Sequence, residues 1–278
     1  MDPLSRKFQT NLKSLNKTIL KQSNYQFDLG NFLDTNFRIS TSNIYGLTNK
    51  KTLPHARTFI DDEIRDKIKQ VISQDKPSNP DIARNLLIEL LRRKVLYVGS
   101  ECEREAFIGV EAEFDDLRAV MKSEYLELHK VTPPTLKNLM KEWDTHKPTI
   151  VFISCHGLPE HLYLQNEQGG CKEYSNVSLF KFFQARSSYT QCVILSACES
   201  LQLGELIKDE CRNVICINRK VDINTARIFC NVLFEYLNDH SLDNSPVYEK
   251  AFGHATEYVG HEELRDSFAF KFLKGNKI

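Results

Sequence analysis

At 278 residues, with 41% hydrophobic and 27% charged residues, the chain is long enough for one large core, or for a core plus a smaller lobe, and its composition is that of an ordinary soluble globular protein. Lys+Arg and Asp+Glu both total 37, so no net field argues for nucleic acid or an anionic membrane as a direct partner. The N-terminus lacks an apolar signal core and no run of about 18 apolar residues occurs; the eight cysteines contain no CxxC, and the Cys211 to Cys216 spacing suits zinc poorly. No metal or cofactor is expected, and the setting indicated is reduced and cytoplasmic.

Residues 1–25 place Leu4, Phe8, Leu12, Leu15 and Ile19 on one helical face, and residues 1–60 hold nine Lys/Arg against three Asp/Glu. Residues 24–56 are polar, rich in Asn, Ser and Thr, and read as loops. Ile60, Ile64, Ile68 and Ile72 form a helix stripe. After the turn at 74–80, Asn79 and Pro80 open a further helix through Leu86, Leu87, Leu90 and Leu91. Residues 1–92 are therefore expected to be a mainly helical and irregular adaptor or regulatory region, with 93–278 a second domain. The basic arm offers a surface for a protein partner, with nucleic acid at most indirect, and a plain solvated face is the alternative that weighs more.

From Lys94 the pattern changes to alternating strands and helices. Val95–Gly99 reads as a strand, 109–122 as a helix and 125–131 as a strand. Pro133-Pro134 opens a helix with Leu136, Leu139, Met140 and Trp143 facing inward, which Pro148 ends. The run Thr149-Ile150-Val151-Phe152-Ile153-Ser154-Cys155-His156-Gly157 follows, then a short excursion through Leu162-Tyr163-Leu164 and a Gly169-Gly170 turn. A helix at 177–186 leads to Gln191-Cys192-Val193-Ile194-Leu195-Ser196-Ala197-Cys198-Glu199-Ser200. Helices at 201–209, 222–238 and 246–259, and a strand at 214–218, complete the reading. Such alternation implies an α/β fold with a mostly parallel sheet flanked by helices.

Two of these strands carry the chemistry. The runs into His156 and Cys198 are apolar and β-branched, as for strands buried on both faces, and each breaks into small polar residues where the carboxyl edge of the sheet should lie. A thiol and an imidazole delivered there are the minimum equipment of a nucleophile and its base. Each residue alone is weak evidence, since a free Cys is usually a small buried hydrophobe. Their shared position at matching strand ends is what gives them weight. Glu111 and Glu113, on the helix after the first strand, read as a solvated face, and His161 as an exposed loop residue.

Ser154-Cys155-His156-Gly157 and Leu195-Ser196-Ala197-Cys198-Glu199-Ser200 resemble the His-Gly and Ala-Cys-Glu-Ser/Thr motifs of CHAT domains, bacterial members of the caspase-like (clan CD) cysteine peptidases. The likeness extends over about Lys94 to Gly260 and includes Val221-Asp222 with Ala226 and Phe229. It implies a caspase-like sheet and a cysteine endopeptidase in which His156 is the general base and acid, Cys198 the nucleophile, and the backbone N–H groups of Gly157 and Cys198 the oxyanion hole. A bacterial defence or cell-death role is implied by the resemblance alone. Leu201 and Gln202 stand where many relatives carry Gly, and the Gln-Ala-Cys-x-Gly signature of caspases is absent. Asp222, with Glu199 as a lesser contributor, is a candidate for selecting Arg or Lys before the scissile bond; a plain helix cap is the equal alternative for Asp222. The rival function is an idle caspase-like scaffold. The 15 residues between Cys198 and Val214 leave little room for a cleavable activation linker, so control by a bound partner through 1–92 is expected.

Overall fold

The central strands of this protein are apolar on both sides, and that single property sets the layering. In the computed structural model the described residues are 92–102, 107–187, 190–240, 247–262 and 266–275. The expectations for residues 1–91 lie outside them. A six-stranded sheet runs in the order β2-β1-β3-β7-β8-β9, with β1 (Arg93–Gly99), β2 (Leu126–Lys130), β3 (Ile150–Ser154), β7 (Cys192–Ser196) and β8 (Asn213–Ile217) mutually parallel. β9 (Phe270–Lys274) closes one edge antiparallel to β8. The α/β, mostly parallel architecture is thus as the alternation implied.

Successive strand residues point to opposite faces and meet different helices. Val95, Tyr97, Ile150, Phe152, Cys192 and Ile194 pack with α1 (Val110–Val120), α5 (Ile223–Asp239) and α6 (Val247–His261). Leu96, Val98, Val151, Ile153, Val193 and Leu195 pack with α2 (Leu136–His146), α3 (Asn176–Arg186) and α4 (Leu201–Ile207). Trp143 of α2 is fully buried, edge-on to Phe182 and Phe183 of α3. Met140, expected to face inward, is exposed, because the inward stripe of α2 runs through Leu139 and Trp143. Among the described residues no helix is long and apolar enough to cross a membrane.

Between β3 and α3 the chain builds a small antiparallel sheet of β4 (Gly157–Leu158), β5 (His161–Gln165) and β6 (Cys171–Ser175). The Gly169-Gly170 turn joins β5 to β6, with Gly169 at φ +81°, a conformation that favours glycine. His161 is a half-buried strand residue opposite Ser175 rather than a loop residue. No spacing rule pairs Cys102 with Cys171, 69 positions apart, yet they form a disulfide. Cys171 faces Gln165 across the hairpin, and the Gln165 amide donates to the Glu101 carbonyl (3.1 Å), so hairpin and β1 loop already meet there. The reading of the cysteines as a reduced set does not extend to this pair.

Glu113 corrects the solvated-face reading of α1: it is 2% exposed and accepts a 2.7 Å bond from the Tyr97 hydroxyl. Its position follows from helical spacing, since Val110, Glu113, Phe114 and Leu117 share one stripe. Glu111, two residues earlier and so on nearly the opposite side of the helix, is exposed and pairs with Lys130. Burial raises the Glu113 carboxyl above its ordinary value of 4.5, and the neighbouring hydroxyls and Arg227 offset this only in part. A carboxyl raised on folding binds more protons in the native state, so its contribution falls as pH rises above 4.5. Glu113→Gln is accordingly expected to stabilise the protein near neutral pH, read as a Tm above that of the parent. The gain should shrink as pH falls and vanish in acid, as read by thermal unfolding across a pH series.

Candidate functional site

Ser154, the last residue of β3, is in register with Ser196, the last residue of β7. His156 and Cys198 therefore each lie two residues beyond a matched pair on adjacent strands, and leave the sheet over the same carboxyl edge. Neighbouring strands run about 4.8 Å apart, so the two turns abut from the outset. Their contact is visible at Gly157, where any Cβ would run into the Cys198 carbonyl oxygen and lie 3.2 Å from the Ala197 Cβ. Glycine is required here by close approach of two backbones. The His156 carbonyl accepts from the Tyr163 N–H (3.0 Å), which hangs the His156 turn on β5.

His156 and Cys198 are both half-buried. Of the six free cysteines among the described residues, Cys198 alone is not buried. Burial pushes the Cys155 and Cys216 thiols up to about 12 and raises those of Cys192 and Cys230 well above their ordinary value too, which keeps these four protonated and inert. The Cys198 sulfur faces the Val221 carbonyl at 4.0 Å, so the segment between β8 and α5 forms a wall beside it.

The turn after Cys198 is held by means that sequence reasoning missed. Glu199, half-buried, adopts φ +56°, the left-handed region that costs a non-glycine residue roughly 1 kcal/mol. Ser200 is buried, and its hydroxyl accepts from the Ile217 N–H (3.0 Å) and lies 3.3 Å from the Leu195 carbonyl. It thereby ties the ends of β7 and β8 to the turn. α4 spans seven residues, shorter than the 201–209 expected, so its dipole offers Cys198 correspondingly little.

Asp222 is the N-cap of α5, its carboxylate accepting from the Thr225 N–H (3.1 Å). It is exposed, one residue past the carbonyl that meets Cys198. The sheet edge thus brings His156, Gly157, Cys198 and Glu199 together, and brings Val221, with Asp222 next in the chain, to their side. No group of three or more His, Cys, Asp or Glu among the described residues is placed to hold a metal ion.

No family model and no curated protein matches the sequence. Among solved structures, the Arg-specific cysteine proteinase gingipain R is similar to 66% of this chain, at 11% identity and a TM-score of 0.43. The chain spans 46% of that protein's length. The resemblance to CHAT domains rests on the quoted motifs.

Removing the Ser200 hydroxyl leaves the buried Ile217 N–H without its acceptor. Ser200→Ala should cost about 1–3 kcal/mol, read as a lower urea midpoint at unchanged slope.

Proposed function

We propose that this protein is a cysteine endopeptidase in which Cys198 is the nucleophile and His156 the general base and acid. The observation that carries the reading is the register of β3 and β7, which sets His156 and the one half-exposed free cysteine of the described residues at equivalent positions on adjacent strand ends. In this reading His156 takes the Cys198 thiol proton as sulfur attacks the scissile carbonyl. The oxyanion is received by the backbone N–H groups of Gly157 and Cys198. Collapse of the tetrahedral species breaks the C–N bond, and His156 returns its proton to the leaving amine. Water, deprotonated by His156, then hydrolyses the thioester and restores the thiol.

The same reading has the enzyme act in the cytoplasm on one or a few protein targets. Control comes from a partner bound through residues 1–92, and the setting is a bacterial defence or cell-death system of the kind the motif resemblance implies. Asp222, with Glu199, favours Arg or Lys before the cut. The cap and the pocket role of Asp222 are compatible, because capping occupies one carboxylate oxygen with the Thr225 N–H and leaves the charge in place.

Cys198→Ala and His156→Ala should each lower kcat by about 10^3-fold or more while leaving thermal unfolding within a few degrees of the parent. Parent and variants would be compared by proteome-wide mapping of new N-termini; equal cleavage by Cys198→Ala would sink the assignment. A panel of fluorogenic peptides tests the preference, with cleavage after Arg or Lys expected. Asp222→Asn keeps the cap and loses the charge, so it should lower kcat/KM on the Arg peptide about tenfold at unchanged Tm. Strong cleavage after Asp with none after Arg would remove Asp222 from specificity.

A further inference from the structure

The wall that faces Cys198 is braced from a segment far away in the chain. Residues 218–222 leave β8, pass the nucleophile through the Val221 carbonyl, and enter α5 at Asp222. The segment that leads into β9 grips this wall at both ends. At one end the Asn218 N–H donates to the Ala269 carbonyl (2.9 Å), next to the Ile217–Phe270 pair that begins the β8–β9 ladder. At the other, the Asp266 carboxylate divides its two oxygens. One pairs with the Arg219 guanidinium (3.2 Å) and the second accepts the Asp222 backbone N–H (3.3 Å). Asp266 also receives the Ala269 N–H on its own carbonyl (2.8 Å), which fixes it in the short 3-10 turn Ser267–Ala269.

We propose that Asp266 is a positioning residue of the site: by holding Arg219 and the Asp222 N–H together it sets the Val221 carbonyl against Cys198 and fixes the wall along which a peptide substrate lies. The contacts reach the nucleophile only through the 219–222 backbone, so Asp266 touches neither sulfur nor substrate. Of its two grips the backbone one matters more. The Arg219 side chain is 52% exposed, and an exposed pair contributes little, whereas a carboxylate accepting a backbone N–H makes a charge-assisted bond independent of a flexible stem.

The effect on turnover rests on the peptidase reading; the positioning does not, and the experiment separates them. Asp266→Ala, Asp266→Asn and Arg219→Ala would be made in the full chain. Amide exchange in 218–222 and the rate of Cys198 alkylation by iodoacetamide are read first, since neither needs a substrate. With the clamp removed, exchange in 218–222 should rise about tenfold in Asp266→Ala, with β7 and β3 unchanged. Cys198 alkylation should rise about threefold as the sulfur loses its carbonyl neighbour. Asp266→Asn, which keeps one acceptor, should fall between Asp266→Ala and the parent, and Arg219→Ala should move both readouts least. On the best fluorogenic peptide, KM should rise about tenfold in Asp266→Ala with kcat within about threefold. Unchanged exchange and alkylation overturn the positioning role whatever happens to turnover, as does a fall in kcat at constant KM. If both report the loosened wall while the parent protein cleaves no peptide, Asp266 keeps its role and the peptidase reading fails.

Discussion

The site depends on one constraint, the parallel pairing of β3 with β7 at the centre of the sheet. Pairing in that register carries Ser154 against Ser196, so both strands run out of ladder at the same level. Two turns released side by side must then share space, and Gly157 lets the backbones close to contact at Cys198. A slip of one residue would turn every side chain of β7 to the other face, sending Cys192 and Ile194 from one core to the other and Cys198 away from the edge it now shares with His156. The apolar sheet core, buried on both sides, makes such a slip costly, and the hydrophobic effect thereby sets the geometry of a polar site.

Around that pairing the polar groups are supplied by neighbours rather than by the site itself. Ser200 completes the end of β8 with a hydroxyl, and the left-handed Glu199 turns the chain between Cys198 and that staple. Below, Tyr97 and Glu113 share a buried hydrogen bond between β1 and α1. Such a pair fixes where α1 meets the sheet, and its burial requires the donor and acceptor to satisfy one another. On the flank, the Cys102–Cys171 disulfide and the Gln165–Glu101 bond hold the small sheet from which the His156 turn is hung. The turn is thus fixed from the sheet below and from the hairpin beside it.

The alternation of strands and helices from β1 to α6 was legible because two periods, 2 and 3.6, are written into side chains whose burial follows directly. So was the common sheet edge that the runs into His156 and Cys198 reach, since both change from apolar to polar at the point where a parallel strand ends. β9 was not expected, although Phe270, Phe272 and Leu273 are apolar, because a short edge strand that pairs on one side only carries a weak pattern. Glu113 was misread by residue type where its helical position was the better guide. Asp222 carried two readings, and of these the capping bond is present in the structure.

By itself the sequence determined the fold class, the strand that delivers each candidate catalytic residue, and the edge at which they emerge, because these follow from local periodicity and the apolar character of the runs. Tertiary structure alone decided that Cys102 reaches Cys171, that Ser200 serves β8, and that Asp266 reaches across 44 positions to the wall beside Cys198. Each is a contact between segments distant in the chain, made by one polar atom with no periodic partner, and such contacts exist only once the packing of the sheet has brought their ends together.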